Sequence, residues 1–519
     1  MQFSILDKSI SNKKTFIVLI IFSFSIFIFT SDGHRISFDE DVHHLGTLRL
    51  VTLEPHPLFV EGDSKMMFEY PHQFPNPVGA ICQNEILCSQ GRIGQNILEY
   101  PFVFLSYNLG LNQNQVLLNS EDFNDPNYLL WRNNLDPTFI LLEVAYGAIF
   151  SSLAVSVFFL VSRIYYSHRT SLILSLILAL ATPIWAYANT TYSVSPTIFF
   201  ILVSFYFLKK FQEDNSKKSI AVCSISLAIL FLIRPDNGLI IAPFFIMFIY
   251  DLTKKYKKIR NIIIFLIPLI ISYFITKLVD VLNWGNDYWL KGSLTTQMGT
   301  VSEFLINPLT GTFGLLFSPG FGLFIFTPIL FMIFLGYSKF FSGNKKDTIF
   351  FISIISTVII FYGSTFWWYA GYSWSARYVL PLIPFMLIPI GILLENKSKK
   401  LFLLIIGLSS LGFFINFVNV IQDIQWFVWG FVDQWGLASL SDNWTHFHMH
   451  DSIPWTFENS PLVKTIELTF NNLQPDIFIL KALGIEMYSI LVISVLLLTS
   501  ILIARILTNS NSIKSIVKK

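Results

Sequence analysis

The sequence predicts an all-α polytopic membrane protein with about twelve transmembrane helices and long extracytoplasmic loops. Three observations carry this. Hydrophobic residues make up 53% of the 519 residues, charged residues only 13%, and mean hydropathy is +0.59. A soluble domain carries about a quarter charged residues. The missing charge is concentrated in long uncharged runs, and the lysines and arginines cluster in short segments between alternate runs.

A spanning helix needs roughly 20 apolar residues, because the hydrocarbon core is about 30 Å thick and each residue rises about 1.5 Å. Backbone groups in lipid must pair within the segment, so the spans are helical. The first run extends from Thr15 to about Ser31, behind Lys13 and Lys14. No small-x-small cleavage site follows it, so it reads as a retained anchor rather than a signal peptide. Further runs lie at about 138–161, 171–188, 194–208, 219–233, 237–250 and 261–278. The rest lie at about 321–338, 348–366, 379–394, 401–420 and 486–507.

With the N-terminus inside, alternate segments collect about 24 of the 35 Lys and Arg residues on the inner side. Lys209, Lys210, Lys217 and Lys218 form one such cluster, and Lys254, Lys255, Lys257, Lys258 and Arg260 another. Both termini are expected in the cytoplasm, and the Ile, Phe and Lys content suits a microbial plasma membrane. Three long segments fall outside: 32–137, 279–320 and 421–485. They hold most of the tryptophans and eight of the nine histidines. Ordering long polar loops costs entropy, which marks them as the place of function. No linker or low-complexity stretch separates a soluble unit, so residues 1–519 read as one membrane domain capped by its own loops. No long basic tract suggests nucleic acid, and there is no phosphate-binding glycine loop, nucleophile elbow or paired CxxC.

Several groups could carry chemistry. Asp39, Glu40 and Asp41 follow the first span, with His43 and His44 just behind. Three acids in a row repel, so one carboxyl should have a raised pKa unless a cation compensates. Such a group can act as a general base toward a hydroxyl, or the acids can simply open a helix. Arg377 ends an aromatic stretch, Trp367 to Tyr378, at the outer end of the ninth run. A guanidinium there meets water, a carboxylate, an ordinary headgroup or a bound phosphate. Arg234 and Asp236 lie in a turn between two runs; they pair with each other, or the arginine faces a lipid-linked anion. The Gly- and Pro-rich stretch from Asn307 to Gly322 leads straight into a span.

Glu143 is expected to face the interior of its span. His446, His448 and His450 alternate and could share a divalent metal if the chain is extended there, or be solvated loop histidines. Cys82 and Cys88 could form a disulfide or remain free, and Cys223 belongs to an apolar run. Asn189-Thr190-Thr191 and Asn443-Trp444-Thr445 have the form of glycosylation sites.

Taken in order, these stretches resemble the GT-C fold membrane glycosyltransferases, in particular the dolichyl-phosphate-mannose-type mannosyltransferases and the related PMT/ArnT superfamily. The resemblance rests on Asp39-Glu40, on Gly94-Gln95-Asn96-Ile97-Leu98-Glu99-Tyr100-Pro101-Phe102, and on Arg234-Pro235. Gly314-Leu315-Leu316-Phe317-Ser318-Pro319-Gly320 and Trp374-Ser375-Ala376-Arg377-Tyr378-Val379-Leu380-Pro381 are its most specific parts. It covers the chain to about residue 395. Where the family tends to show Lys-Tyr-Gly before Gly94, this chain has Gln90-Gly91-Arg92.

The resemblance implies transfer of a sugar from a polyprenyl-phosphate donor to the hydroxyl of a glycan, lipid or protein acceptor, outside the membrane and with inversion. Asp39 would be the base, with Glu40 second. Arg377, then Arg234 and Lys291, would hold the donor phosphate. His43, Gln95, Trp374 and Tyr378, within or beside these motifs, would contact substrate. The resemblance gives no certain cofactor, and assistance by a divalent metal is left open. The competing readings are a lipid-linked sugar flippase or other transporter, and a non-catalytic scaffold.

Overall fold

The computed structural model describes residues 9–33, 38–53, 79–81, 87–89, 92–109, 139–254, 259–284, 306–365, 368–370, 373–396, 398–422, 452–471, 473 and 475–516. The architecture is the all-helical, polytopic membrane fold that the sequence predicts, with one short antiparallel ribbon, β1 (Gly79–Ile81) and β2 (Leu87–Ser89). Among the described residues nine helices are long and apolar enough to cross a membrane. Their outward faces are apolar, as on Ile259–Trp284, where Ile263, Ile267, Ile270 and Phe274 are exposed. A soluble protein would hide such a stripe; a bilayer solvates it.

Helix α1 (Ser9–Phe29) is followed by α2 (Phe38–Thr52) and α3 (Ile93–Asn108). The first outer segment is therefore partly helical, and Asp39, Glu40 and Asp41 stand in the first turn of α2. Helix α4 (Ile140–Ser162) runs through the centre, packed against α1 and against α7 (Val194–Asp214). Its small residues allow that closeness. Ser151 and Ser195 hydrogen-bond across the α4–α7 contact at 2.9 Å. A Cβ on Gly147 would lie 2.4 Å from the carbonyl oxygen of Thr190, so only glycine admits the turn that follows residue 187.

The run at 171–188 is broken rather than continuous. Helix α5 (His168–Leu180) stops just before Pro183, and one short turn, α6 (Ile184–Tyr187), follows. Proline has no N–H to give and disfavours helix in the residue before it. Helices α8 (Lys217–Ile233), α9 (Gly238–Lys254) and α10 (Ile259–Trp284) continue the bundle, with a 3-10 turn at Pro235–Asn237. After α11 (Pro308–Phe317) the run at 321–338 is broken as well. It divides into α12 (Leu323–Phe326), a 3-10 turn at Pro328–Met332 and α13 (Ile333–Gly343), again at a proline. Helices α14 (Lys345–Gly363), α15 (Ile383–Glu395), entered through a 3-10 turn at Arg377–Leu382, and α16 (Lys399–Ile421) complete the core. Two short helices, α17 (Ser452–Trp455) and α18 (Pro461–Asn471), precede α19 (Phe478–Ile516). The last helix is longer than the 486–507 run, is interrupted at Gly484, and is tied to α1 by the hydrogen bond from Tyr488 to the Phe29 carbonyl.

Polar groups gather at opposite ends of the bundle. At one end Lys209 donates to both oxygens of Asp347 (3.0 and 2.9 Å), Tyr165 donates to the same carboxylate, and Lys346 pairs with Asp251. These residues come from the segments in which the sequence clusters its lysines. The other end holds α2, α3, the 188–193 turn, the 234–237 turn and the approach to α15. The single-domain reading of residues 1–519 remains an expectation of the sequence.

Candidate active site

Helix α2 carries its polar residues at helical spacing: Glu40, His43, His44 and Thr47 fall at i, i+3, i+4 and i+7, on one face. All four are buried. The opposing helix α3 presents Gln95, Asn96 and Glu99, also buried. The close approach of α3 to α8 requires Gly94, whose Cβ would sit 2.5 Å from the Leu232 backbone.

Burying polar groups is costly unless they find partners, and each of these side chains makes at least one hydrogen bond. Thr47 donates to Glu99 Oε2 (2.8 Å), Gln95 donates to Glu99 Oε1 and to the Thr191 carbonyl (both 2.9 Å), and Asn96 donates to the His43 carbonyl (2.9 Å). Thr191 joins the two helices to the 188–193 turn. Its N–H and its hydroxyl both donate to Glu40 Oε1, at 2.9 and 3.0 Å. The same hydroxyl lies 2.9 Å from His44 Nε2, and His44 Nδ1 lies 3.1 Å from Glu143 Oε1. Glu143 faces inward, as the sequence predicts, in the first turn of α4. Burial raises the Glu99 carboxyl to about 7, against the opposing pull of His44, Thr47 and Gln95.

Cations stand beside this network. Arg92 donates through Nη1 to His43 Nε2 at 2.7 Å. A guanidinium has no acceptor, so Nε2 must offer its lone pair and His43 is neutral. Burial, and then the charges of Arg92, His44, Arg234 and Arg377, hold its pKa well below the ordinary value. Arg377 is nearly buried, with its guanidinium carbon 4.3 Å from the ring centroid of Tyr192 and 5.6 Å from that of Tyr378. Arg234 also lies near this array, with its guanidinium carbon 5.2 Å from the Tyr378 centroid. Tyr378 stacks on Tyr362 at 4.4 Å and 8°. Arg234 makes the pairing with Asp236 that is one of the two alternatives the sequence leaves open. Its Nε and Nη2 donate to the two oxygens of Asp236, at 3.0 and 2.6 Å, and Tyr362 also donates to that carboxylate.

Glu40, His43, Gln95, Arg234, Arg377 and Tyr378 are thus brought to one end of the bundle. Trp374 is buried with its indole N–H on Asn416 (3.2 Å) and its ring edge-on to Phe326, which makes it part of the packing that carries Arg377. Asp39 is placed on α2, but its side chain lies outside the described residues, as do Lys291, His446, His448, His450, Asn443 and Cys82. Among the described residues no three His, Cys, Asp or Glu side chains are grouped to hold a metal. Asn189 is buried and its amide donates to the Thr30 carbonyl at 2.6 Å, so the sequon form there marks a structural asparagine, not a glycosylation site.

Three contributors escaped the sequence reading. Arg92 stood out only as a departure from the family pattern, Thr191 only as the end of a sequon, and Tyr192 not at all. The signal that could have found the α2 face is the Glu-x-x-His-His-x-x-Thr spacing, a polar stripe that only a buried network would reward.

No family model matches the chain, and no curated protein is a significant match. Two solved structures are similar to it: crystal structures of ArnT from Cupriavidus metallidurans, one bound to undecaprenyl phosphate and one in the apo state. Both are 12% identical over 76% of this chain, with TM-scores of 0.41 and 0.40. The match spans about three fifths of those proteins, 62% and 61% of their chains.

Proposed function

We propose that this chain is a membrane glycosyltransferase that moves a sugar from a polyprenyl-phosphate donor to an acceptor hydroxyl, with inversion, on the extracytoplasmic side. The observation that carries the reading is the convergence, at one end of the bundle, of the acidic turn of α2 with Arg92, Arg234 and Arg377. Acid–base groups and anion-binding groups are needed side by side when a hydroxyl attacks and a phosphate leaves.

The chemistry assigns each part a task. The acceptor O–H gives its proton to a carboxylate of the Asp39–Glu40 pair while its oxygen bonds the anomeric carbon. The bond from that carbon to the phosphate oxygen breaks, and the lipid phosphate departs with the electron pair. Arg377 and Arg92 stabilise the charge that develops there. Arg234, already braced by Asp236, supports the Tyr378 ring against which Arg377 rests. The lysine distribution supports an orientation with both termini in the cytoplasm, which sets the site outside, and the Ile, Phe and Lys content suits a plasma membrane.

Transfer of labelled sugar from polyprenyl-phosphate sugars to a mixed acceptor extract by the purified protein tests the reading. A loss of transfer in Arg377→Ala, with protein yield unchanged, supports it; translocation of the donor across liposomes without any transfer replaces it with a transporter.

A further inference from the structure

The network on α2 contains more than a base needs. From Glu40 a buried hydrogen-bonded chain runs through the Thr191 hydroxyl to the His44 imidazole, with links of 3.0 and 2.9 Å, and Glu143 Oε1 stands 3.1 Å from His44 Nδ1 as a charge contact. Together these groups span three elements, α2, the 188–193 turn and α4. We propose that Glu40, Thr191, His44 and Glu143 form a proton-sharing relay, in which Glu143 holds His44 protonated and His44, through the Thr191 hydroxyl, keeps the Glu40 carboxylate ionised. The inference places Glu40 in the site described above, and its test does not depend on the transfer reaction.

Counting donors leads to this assignment. Thr191 has one hydroxyl proton and two polar neighbours, Glu40 Oε1 and His44 Nε2. When the hydroxyl donates to Glu40, His44 Nε2 must carry a proton and donate to the hydroxyl oxygen. His44 Nδ1 faces Glu143 Oε1 at 3.1 Å, a charge contact without the alignment of a hydrogen bond, and the adjacent carboxylate favours the imidazolium. The chain then holds an imidazolium between two carboxylates. The alternative arrangement has the same number of protons. Glu40 carries one, donates it to Thr191, and Thr191 donates to a neutral His44 Nε2. Passing between the two moves one proton from Nε2 to the hydroxyl oxygen and the hydroxyl proton to Glu40. No proton enters or leaves the chain, and no bond other than O–H and N–H changes.

The surroundings favour the ionised form of Glu40. Thr191 N–H donates to the same Oε1, a bond worth more to a carboxylate than to an acid. The other groups facing this chain are His43 on α2, Arg92 and Glu99 from the α3 side, Tyr187 before the turn, Arg234, and Arg377. His43 is neutral, as its bond from Arg92 requires, and the arginines stabilise an anion at Glu40. The logic is that of a histidine oriented by a buried carboxylate, with a hydroxyl as the intermediate link. In that logic Thr191, His44 and Glu143 are positioning residues.

pH-difference infrared spectroscopy on the purified protein reads the Glu40 carboxyl directly, as the acid band that Glu40→Gln removes. Its midpoint should rise by about one unit or more in Thr191→Val and in His44→Gln, and return in Thr191→Ser. Glu143→Gln is the sharpest variant. Removing a negative neighbour by itself lowers the Glu40 midpoint, whereas discharging His44 raises it. The relay predicts a rise. A fall in Glu143→Gln, or a midpoint unmoved by Thr191→Val, overturns it. If the wild type shows no transfer with any donor while these shifts appear, the glycosyltransferase reading fails and the relay stands. Normal transfer without the shifts has the opposite meaning.

Discussion

Arg92 donates to the Nε2 of His43 at 2.7 Å, across the contact between the lead-in of α3 and the face of α2. The bond fixes the imidazole as a neutral tautomer and sets a guanidinium beside the acidic turn. If Arg92 also meets the donor phosphate, Arg92→Ala should raise the KM for a polyprenyl-phosphate sugar by about ten- to a hundred-fold, the range of a lost charge-assisted hydrogen bond. Arg92→Lys keeps the charge and loses the planar fork, so its KM should fall between the two. Steady-state kinetics with saturating acceptor check this; equal KM values for wild type and Arg92→Ala remove Arg92 from the phosphate site.

Glu99 predicts a pH dependence of stability. Its carboxyl titrates at about 7 in the folded protein, above its ordinary value of 4.5, chiefly because it is buried. Below 4.5 it is protonated in both states and its favourable share is fully present. As pH rises to about 7 the unfolded chain loses the proton first, and that share is lost. Thermal unfolding in detergent at about pH 5 and pH 8 should show the wild type losing stability with pH, and Glu99→Gln losing less. Parallel behaviour of the two proteins argues against a buried protonated Glu99.

Asp236 braces Arg234 with two hydrogen bonds and accepts a third from Tyr362. Asp236→Ala leaves a half-buried guanidinium without its carboxylate and should cost about 1.5–3 kcal/mol. Tyr362→Phe removes one hydroxyl and should cost about 1 kcal/mol. Comparing the two melting temperatures checks the order; a Tyr362→Phe protein as unstable as Asp236→Ala contradicts it.

Gly147 carries a steric prediction. Any side chain there meets the Thr190 carbonyl at 2.4 Å, so Gly147→Ala must push the 188–193 turn away from α4. Overpacking of this kind costs about 1–3 kcal/mol. Because that turn carries Thr191, activity should fall further than stability alone explains. A variant with normal melting temperature and normal transfer contradicts the placement of the turn.

The helices were legible because lipid leaves the backbone no other choice, and each of the twelve apolar runs contains helix. The breaks at Pro183 and Pro328 were not read, since hydropathy averages over a proline that the hydrogen-bond ladder cannot ignore. The acidic turn, Glu143, Arg234 and Arg377 were legible from chemistry alone, being charges in places where charge is costly. Thr191 and Tyr192 were not, because a threonine and a tyrosine in a short turn carry no signal until the fold brings α2 against them. Trp374 shows the converse: its neighbours mark a site, while its own indole is used in packing with Asn416.

The most direct test of the account is labelled-sugar transfer by wild type, Asp39→Asn and Glu40→Gln, each supplied with polyprenyl-phosphate sugars and a mixed acceptor extract. The account predicts transfer by the wild type, and a loss of about two or more orders of magnitude in the variant that lacks the base, at unchanged protein yield. Equal transfer by all three proteins, or none by the wild type with any donor, contradicts it.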